Sequence, residues 1–220
     1  MIELFLRNQN AIIKAFQETG LLMGITLFFT LTIGLPLGVL LVISKKDGIK
    51  PNLIIHNLCN LYVNIVRSFP FILFVIFMMP FTRMLLGFTL GTIPATVPMS
   101  FIGVAIFARY VEQSLLEIDS GLKDTSITMG ASTLQTIFYV YLVEARSSLV
   151  LGFTATVISL LSYSTVMGVV GGGGLGDFAL VYGYHKHQYD LMSLIVIIII
   201  ALVQIIQWIG HTTAVKLDKN

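Results

Sequence analysis

Long apolar stretches separated by short polar segments dominate the pattern of hydrophobic and polar positions along the chain. A helix needs roughly 20 apolar residues to cross a bilayer, and five stretches approach or exceed that length. They lie at about residues 20–43, 63–86, 92–109, 149–170 and 190–210, the second with a kink. The pattern therefore predicts an all-α membrane protein with five transmembrane helices.

Four polar residues recur at three- and four-residue steps around the start of the second span: Asn57, Asn60, Asn64 and Arg67. This spacing predicts a helix over Leu53–Ser68 that carries one polar stripe. Pro70 disfavours helical geometry at Phe69, so we expect a bend there, followed by the membrane-embedded part. The stripe fits an interfacial helix that wets its polar face, and it also fits a polar path or a surface that faces a partner.

A polar, glycine-punctuated segment, residues 117–132, separates the third and fourth spans. Asp119 or Ser120 can cap a short helix, and Gly130 stands where a left-handed C-terminal residue is wanted. Ser132 begins a capping-box pattern of the S-x-x-Q type, which predicts the start of a second helix. We expect the two short helices to form a knob beneath the membrane domain, although a generic loop between spans could share these features.

The fourth predicted span carries small and hydroxyl-bearing side chains on one helical face: Gly152, Thr156, Ser159 and Tyr163. Such a face allows close helix packing, and it can also line a path for a polar solute. We expect packing for Gly152 and Thr156. Four residues toward the outer end are candidates for a gated translocation path: Ser159, Tyr163, Ser164 and Met167. The alternative is that these residues pack against neighbouring spans.

Composition agrees with a membrane protein and narrows the function. Hydrophobic residues make up 56% of the chain and charged residues 11%, against about 25% charged residues in soluble domains. The net charge of +2 gives no indication of nucleic-acid binding, and the single cysteine, Cys59, excludes a disulfide framework and a cysteine-based metal cluster. We expect membrane lipid as a partner, no nucleic acid and no bound metal.

Motifs for catalysis and nucleotide binding are weak or missing. Residues 171–176 match G-x-G-x-x-G, but they follow a predicted membrane helix and not a strand, so we interpret them as a flexible or tightly packed outer loop. The sequence contains no G-x-x-x-x-G-K-[ST] motif and no plausible catalytic triad or dyad. Its acidic residues fall near span ends or in loops, which argues against a proton-coupled transporter. These features indicate a pore-forming subunit that is not an enzyme and takes its energy from elsewhere.

The basic residues indicate an orientation, because Lys and Arg concentrate in cytoplasmic segments. With the N-terminus outside, nine of the 13 lie inside: Lys45, Lys46, Lys50, Arg67, Arg109, Lys123, Arg146, Lys216 and Lys219. We therefore expect residues 1–15 to be an outer N-terminal segment, the knob to be cytoplasmic and residues 213–220 to be a cytoplasmic tail.

Four stretches carry a resemblance to a known family: Gly34-Leu-Pro-Leu-Gly38; Val66-Arg-Ser-Phe-Pro-Phe-Ile72 with Met79-Pro-Phe-Thr-Arg83; Ala108-Arg-Tyr-Val-Glu112; and Gly171 to Gly176 with Tyr182-Gly-Tyr184. Over roughly residues 16–212, the chain resembles the permease subunits of bacterial ATP-binding-cassette (ABC) importers of the first type, most of all those of methionine importers. The resemblance implies a type I importer permease domain over these residues, with a cytoplasmic coupling region at about 117–145. It also implies a place in the bacterial plasma membrane.

The same resemblance implies how such a subunit works. Two copies form a homodimer, each copy docks on one ABC ATPase subunit, and an extracytoplasmic substrate-binding lipoprotein delivers the cargo. This chain then binds no cofactor, because the partner ATPase uses the ATP and Mg²⁺. The implied cargo is methionine, in its L- and D-forms, moved by alternating access. The alternatives are a permease for another small amino acid or sulfur compound, an ion-coupled secondary transporter and a membrane scaffold that transports nothing.

The resemblance implies that eight residues of the knob couple the permease to the ATPase: Lys123, Asp124, Thr125, Ser126, Met129, Gly130, Ala131 and Ser132. The chain departs from the family here, because residues 123–126 occupy the neighbourhood of a usual Glu-Ala pair. Prolines that are common before the next span are replaced by Val143 and Ser147. We therefore expect altered contact chemistry with the ATPase and a smoother helix into the fourth span.

Overall fold

The computed structural model describes residues 2–218, without the side chains of residues 2–7 and Ser120. This part of the chain is helical and contains no β-strand, which confirms the predicted all-α class. The α-helices are α1 Ile2–Ile43, α2 Leu53–Ser68, α3 Phe71–Leu86, α4 Thr92–Leu116, α5 Ser120–Thr128, α6 Thr133–Gln135, α7 Leu142–Glu144, α8 Arg146–Met167, α9 Gly174–Phe178 and α10 Tyr189–Leu217. Shorter helical segments between them are a 3₁₀ turn, Gly168–Val170, and two π-helical stretches, Thr136–Tyr141 and Ala179–His185.

Up to five helical units have the length and hydropathy of membrane spans. Four are continuous segments: Asn8–Ile43, Thr92–Leu116, Arg146–Val170 and Tyr189–Leu217. The fifth is the pair α2 and α3, which is bent by 116° at a short break. The predicted five spans are therefore confirmed when this bent pair counts as one crossing.

The first helix begins well before the first predicted span. Residues 2–15, expected to form an outer segment, continue the span as one helix. The 42 residues of α1 extend about 63 Å at 1.5 Å per residue, roughly twice a 30 Å hydrocarbon core. Ile12 and Ala15 are buried in a cluster with residues of α9 and α10. Tertiary packing of this kind stabilises a helix beyond what its sequence alone supports.

The second helix has the bounds that its polar stripe predicts. The side chain of Asn52 caps it by accepting hydrogen bonds from the N–H groups of Ile54 and Ile55. Phe69 is extended, with φ −73° and ψ 133°, because the ring of Pro70 clashes with a helical residue before it. The predicted helix and the predicted bend are both confirmed.

The fourth helix, α4, is the centre of the bundle. It packs against α1, α2, α3 and α8. In its most apolar stretch of 18 residues, 61% is buried, against 6% in the corresponding stretch of α10. Its closest approach is to α1, where Gly34 and Gly38 face Phe107 and Val111. A Cβ atom on Gly38 would lie 2.5 Å from the Cβ of Val111 and 2.6 Å from the carbonyl oxygen of Ala108. Glycine therefore lets the two backbones meet at this crossing.

The small face of α8 packs as expected. Gly152 lies against α4, where a Cβ atom would come within 2.8 Å of the Cβ of Tyr110. Thr156 is fully buried and donates a hydrogen bond of 2.8 Å to the carbonyl oxygen of Gly152. Before α8, the chain runs from Thr133 in α or π geometry and is interrupted only at Ala145. This nearly continuous path agrees with the smoother helix that the missing prolines predict.

The glycine loop after α8, residues 171–176, is packed against α1. The carboxylate of Glu18 accepts a hydrogen bond of 2.8 Å from the N–H of Gly174, and the hydroxyl of Thr19 accepts one of 2.9 Å from the N–H of Leu175. Burial, and secondarily the charge of Glu18, raise the pKa of the Asp177 carboxyl in α9. Of the two interpretations of this loop, the tightly packed one is confirmed.

Candidate functional site

The polar segment between α4 and α8 folds into the two short helices that its capping pattern predicts. The side chain of Asp119 accepts a hydrogen bond of 2.7 Å from the N–H of Gly121 and caps α5. Gly130 ends this helix with a φ of +77°, in the left-handed region. Ser132 and Gln135 form a complete capping box at the start of α6. The predicted knob is therefore confirmed as a helix-turn-helix.

Two side chains of the knob hold it in place. Ser126 is 7% exposed, and its hydroxyl lies 2.8 Å from the carbonyl oxygen of Lys123 and 3.2 Å from the hydroxyl of Thr136. The ammonium group of Lys123 donates a hydrogen bond of 2.6 Å to the carbonyl oxygen of Asp47, in the linker after α1. Ser126 thus joins the two helical segments, and Lys123 ties the knob to the linker that follows the C-terminal end of α1.

The knob rests on a buried aromatic residue. Tyr141 packs in an apolar cluster that includes Val111 and Ile137. Burial, with the carboxylate of Asp124 as the smaller cause, raises the pKa of the Tyr141 phenol. The raised pKa keeps the phenol protonated, so Tyr141 adds no charge to this cluster.

The surface of the knob exposes apolar as well as polar side chains. Of the eight residues carried over from the family, five are exposed: Asp124, Thr125, Met129, Gly130 and Ser132. Lys123 and Ala131 are half-buried, and Ser126 is buried, so its place in a contact surface stays a prediction. Sequence reasoning missed three large exposed side chains on the same segment: Leu134, Phe138 and Tyr139. Their spacing of four and five residues was the sequence signal that could have identified them. Large apolar side chains exposed together are typical of a docking surface.

A second candidate site is a groove at the bend between α2 and α3, here called the bend groove. Its volume is about 250 Å³. Six polar or aromatic side chains define its lining: Arg67, Phe69, Phe71, Tyr110, Ser159 and Tyr163. The rings of Phe71 and Tyr163 stack with their centroids 4.5 Å apart and their planes within 10°, so each ring covers one face of the other and this side of the groove is aromatic.

The bend groove lies near the middle of the spans. Its lining residue Ile102 is about 15 Å along α4 from Thr92, and Ser159 is about 20 Å along α8 from Arg146. Arg67 lines this groove as well, so the bend between α2 and α3 places it beside the middle of α4 and α8. Its assignment to a cytoplasmic segment, and with it the expected orientation, stays a prediction.

Two residues of the polar stripe on α2 make contacts within the chain. The Nη2 atom of Arg109 donates hydrogen bonds to the side-chain oxygens of Asn60, at 3.0 Å, and Asn64. The Nη1 atom of Arg109 pairs with the carboxylate of Glu112. These charge-assisted hydrogen bonds hold α2 against α4. Asn57, Asn64 and Arg67 are exposed, so the stripe both contacts α4 and presents a polar face, and its interfacial role stays a prediction.

The structure separates the four predicted path residues into two pairs. Ser159 and Tyr163 line the bend groove. Ser164 is buried and donates a hydrogen bond of 2.7 Å to the carbonyl oxygen of Leu161. Met167 is 2% exposed, in an apolar cluster shared by α1, α3, α4 and α8. The first pair is half-buried at the groove, whereas the second pair packs inside the protomer. The role of all four residues in a path or gate stays a prediction.

Comparison with known proteins identifies the family of this fold and these sites. Residues 34–213 match the family of binding-protein-dependent transport system inner membrane components. The probable D-methionine transport system permease protein MetI of Vibrio cholerae serotype O1 is 37% identical over 214 residues, which cover 97% of this chain and 95% of that protein. The methionine import system permease protein MetP of Bacillus subtilis is 37% identical over 182 residues, 82% of each chain.

A solved structure shares the fold. A chain of the MetNI methionine ABC transporter in an inward-facing conformation matches with a TM-score of 0.91 and 36% identity, covering 94% of this chain and 96% of that chain. The resemblance drawn from the four sequence stretches is thereby confirmed, and so is the type I importer permease fold. The chain belongs to the family of binding-protein-dependent transport system inner membrane components.

Proposed function

We propose that this chain is the membrane-spanning permease subunit of an ATP-driven methionine importer, with its permease domain at residues 16–212. The observation that carries the proposal is similarity to methionine permeases over nearly the whole chain, combined with the shared fold. The geometry supports it further. An exposed knob suits a subunit that takes energy from a partner, and a polar groove at mid-depth suits one that moves a solute.

The partners follow from the same proposal. Two copies of the chain form the translocation path between them, and each copy docks through its knob on one ABC ATPase subunit. The exposed apolar side chains of the knob support this docking, since otherwise they face water. The ATPase binds Mg²⁺ and hydrolyses ATP, and this chain is not an enzyme. An extracytoplasmic lipoprotein delivers L- or D-methionine, and alternating access carries it across the bacterial plasma membrane.

Uptake of labelled cargo tests the proposal. The permease, its ATPase and its lipoprotein are expressed together in a bacterial strain without its own methionine importers. We expect saturable uptake of both L- and D-methionine, and loss of uptake when the ATPase is catalytically inactive. Uptake of another small amino acid or sulfur compound in place of methionine would assign a different cargo. Uptake driven by an ion gradient in vesicles without ATP would assign an ion-coupled transporter.

Cysteine labelling tests the proposed orientation, with the N-terminus outside and the knob in the cytoplasm. Thr125 is exposed on α5, so Thr125→Cys in a Cys59→Ala background reports the side of the membrane. A membrane-impermeant maleimide should label this variant in inside-out vesicles and leave it unlabelled in intact cells. Gln188→Cys, at the exposed turn before α10, is the control and should show the opposite pattern. Labelling of Thr125→Cys in intact cells would reverse the topology.

Met167→Ala separates the gating role of Met167 from a packing role. Removing a buried methionine side chain leaves a cavity that costs about 2–5 kcal/mol, so we expect less assembled importer and unchanged uptake per assembled complex. The control is Met84→Ala, because Met84 is 78% exposed on α3 and its loss should change neither quantity. Normal assembly with altered uptake per complex would instead support the gate.

A further inference from the structure

Arg67 is a cation at mid-depth without an ionic partner. The ion pairs among the described side chains join Lys14 to Glu18 and Arg109 to Glu112. Arg67 ends α2, where a cation is favoured by the helix dipole, but that interaction leaves its five N–H donors free. Its side chain is exposed at the protomer surface. Since a charge at this depth is costly in lipid, such residues typically face a water-filled cavity or a polar partner.

Besides Arg67, the bend groove is lined by aromatic, aliphatic and hydroxyl-bearing side chains. The stacked rings of Phe71 and Tyr163 form one side, Phe69 and Ile106 extend its apolar part, and Ser159 adds a hydroxyl. Among the described residues, no carboxylate lines the groove. Its volume of about 250 Å³ is below the roughly 300–1,000 Å³ of pockets for drug-sized ligands. The groove therefore combines one positive charge with aromatic side chains and a few hydroxyls, on the scale of a small molecule.

We infer that the bend groove binds an apolar amino acid in transit through its carboxylate. The guanidinium of Arg67 presents a planar fork of donors that matches a carboxylate. The aromatic rings of Phe69, Phe71 and Tyr163 offer a thioether or another apolar tail the soft contact that sulfur and aromatic rings make, often at the ring edge. The inference deepens the proposed function and rests on it. A ligand reaches the groove through water only if a translocation path runs between two copies of the chain, as that function requires.

The same lining predicts discrimination between carboxylates and their amides. The guanidinium of Arg67 pairs with a carboxylate through charge-assisted hydrogen bonds, which a neutral amide does not match. With no acidic side chain among the described lining residues, the ammonium group meets only hydroxyl acceptors, at Tyr110, Ser159 and Tyr163. The site is therefore expected to bind carboxylates and to reject their amides.

Thiol protection tests the inference in the permease–ATPase complex in lipid nanodiscs. Ser159→Cys in a Cys59→Ala background places a thiol on the groove wall, and Ile197→Cys places a control thiol on the exposed face of α10. The reagent is the charged 2-sulfonatoethyl methanethiosulfonate. We expect Ser159→Cys to react and Ile197→Cys to stay unmodified. L- and D-methionine should slow the reaction of Ser159→Cys, and L-methioninamide should not.

Arg67 variants connect the protection to the guanidinium. In Arg67→Gln combined with Ser159→Cys, the methionine concentration needed for protection should rise about 10- to 100-fold, the effect of losing a hydrogen bond to a charged group. Arg67→Lys keeps the charge, so the methionine concentration that it needs for protection should lie between those of the unchanged Arg67 and of Arg67→Gln. An unchanged reaction rate without methionine shows that each variant is folded.

Three outcomes are decisive. An unreactive Ser159→Cys means that the groove faces lipid or protein and overturns the inference. Reaction without protection by any amino acid, or protection that survives Arg67→Gln unchanged, also overturns it. Protection by another amino acid but not by methionine supports the site and contradicts the proposed cargo, so the two proposals fail separately.

Discussion

Gly130→Val is expected to abolish ATP-driven uptake while the permease still reaches the membrane. Gly130 has a φ of +77°, where a β-branched residue is strongly disfavoured, and the left-handed conformation costs an ordinary residue about 1–2 kcal/mol. Crowding plays no part, since no atom lies within 4 Å of the position that a Cβ would take. The strain reorients the turn between α5 and α6, together with the side chain of Met129, which is 82% exposed.

Two measurements distinguish this effect from general unfolding. Co-purification of the ATPase should be lost, and the amount of permease in the membrane should stay near normal. Gly130→Asn is the matched control, because asparagine adopts the left-handed region several-fold more often than other non-glycine residues, and it should retain most docking and uptake. Normal co-purification by Gly130→Val would mean that the turn does not orient the ATPase contact.

Gly38→Leu is expected to prevent assembly of the permease itself. The Cβ of any side chain at this position overlaps the Cβ of Val111 and the carbonyl oxygen of Ala108. Backbone and a β-branched side chain cannot give way by more than an ångström, so α1 must separate from α4. Overpacking of a core costs about 1–3 kcal/mol and occasionally more, and this crossing joins the first span to the central helix.

Thermal unfolding and the yield of monodisperse protein in detergent measure the effect. Gly24→Leu is the control, because Gly24 lies on the same helix and a Cβ there meets no atom within 4 Å. It should leave yield and melting temperature unchanged or raise them slightly, since glycine inside a helix costs about 1 kcal/mol relative to alanine. Equal yields for the two variants would show that the α1–α4 crossing adapts to a side chain.

The features that sequence patterns predicted are local ones. The bounds of α2 follow from a polar stripe and from Pro70, and both act within a few residues of the helix end. The caps of the knob are likewise short-range, since Asp119 and Ser132 bond to N–H groups two and three residues away. Such patterns determine the backbone geometry within a few residues, so they can be recognised without knowing which spans lie nearby.

The features that were missed depend on contacts between distant segments. The place of Arg67 in the bend groove depends on a bend of 116° and on the packing of α2 on α4, which hydropathy does not encode. The burial of Met167 follows from α1 and α3 closing over α8. The N-terminal part of α1 packs on α9 and α10 through Ile12 and Ala15, over 150 positions away in sequence. The periodicity of a sequence indicates the face of a helix on which each residue lies. It does not identify the helix that packs against that face.

The first helix also has a mechanical consequence. Its C-terminal end leads directly to the linker in which the carbonyl oxygen of Asp47 accepts a hydrogen bond from Lys123 of the knob, and its N-terminal half carries Glu18, which holds the loop at Gly174. About 38 Å of one helix separates Glu18 from that end, so the knob and the glycine loop are tethered to the same rigid element. Pro36 lies between the two tethers and lacks the N–H for one backbone hydrogen bond, so the helix is weakest there.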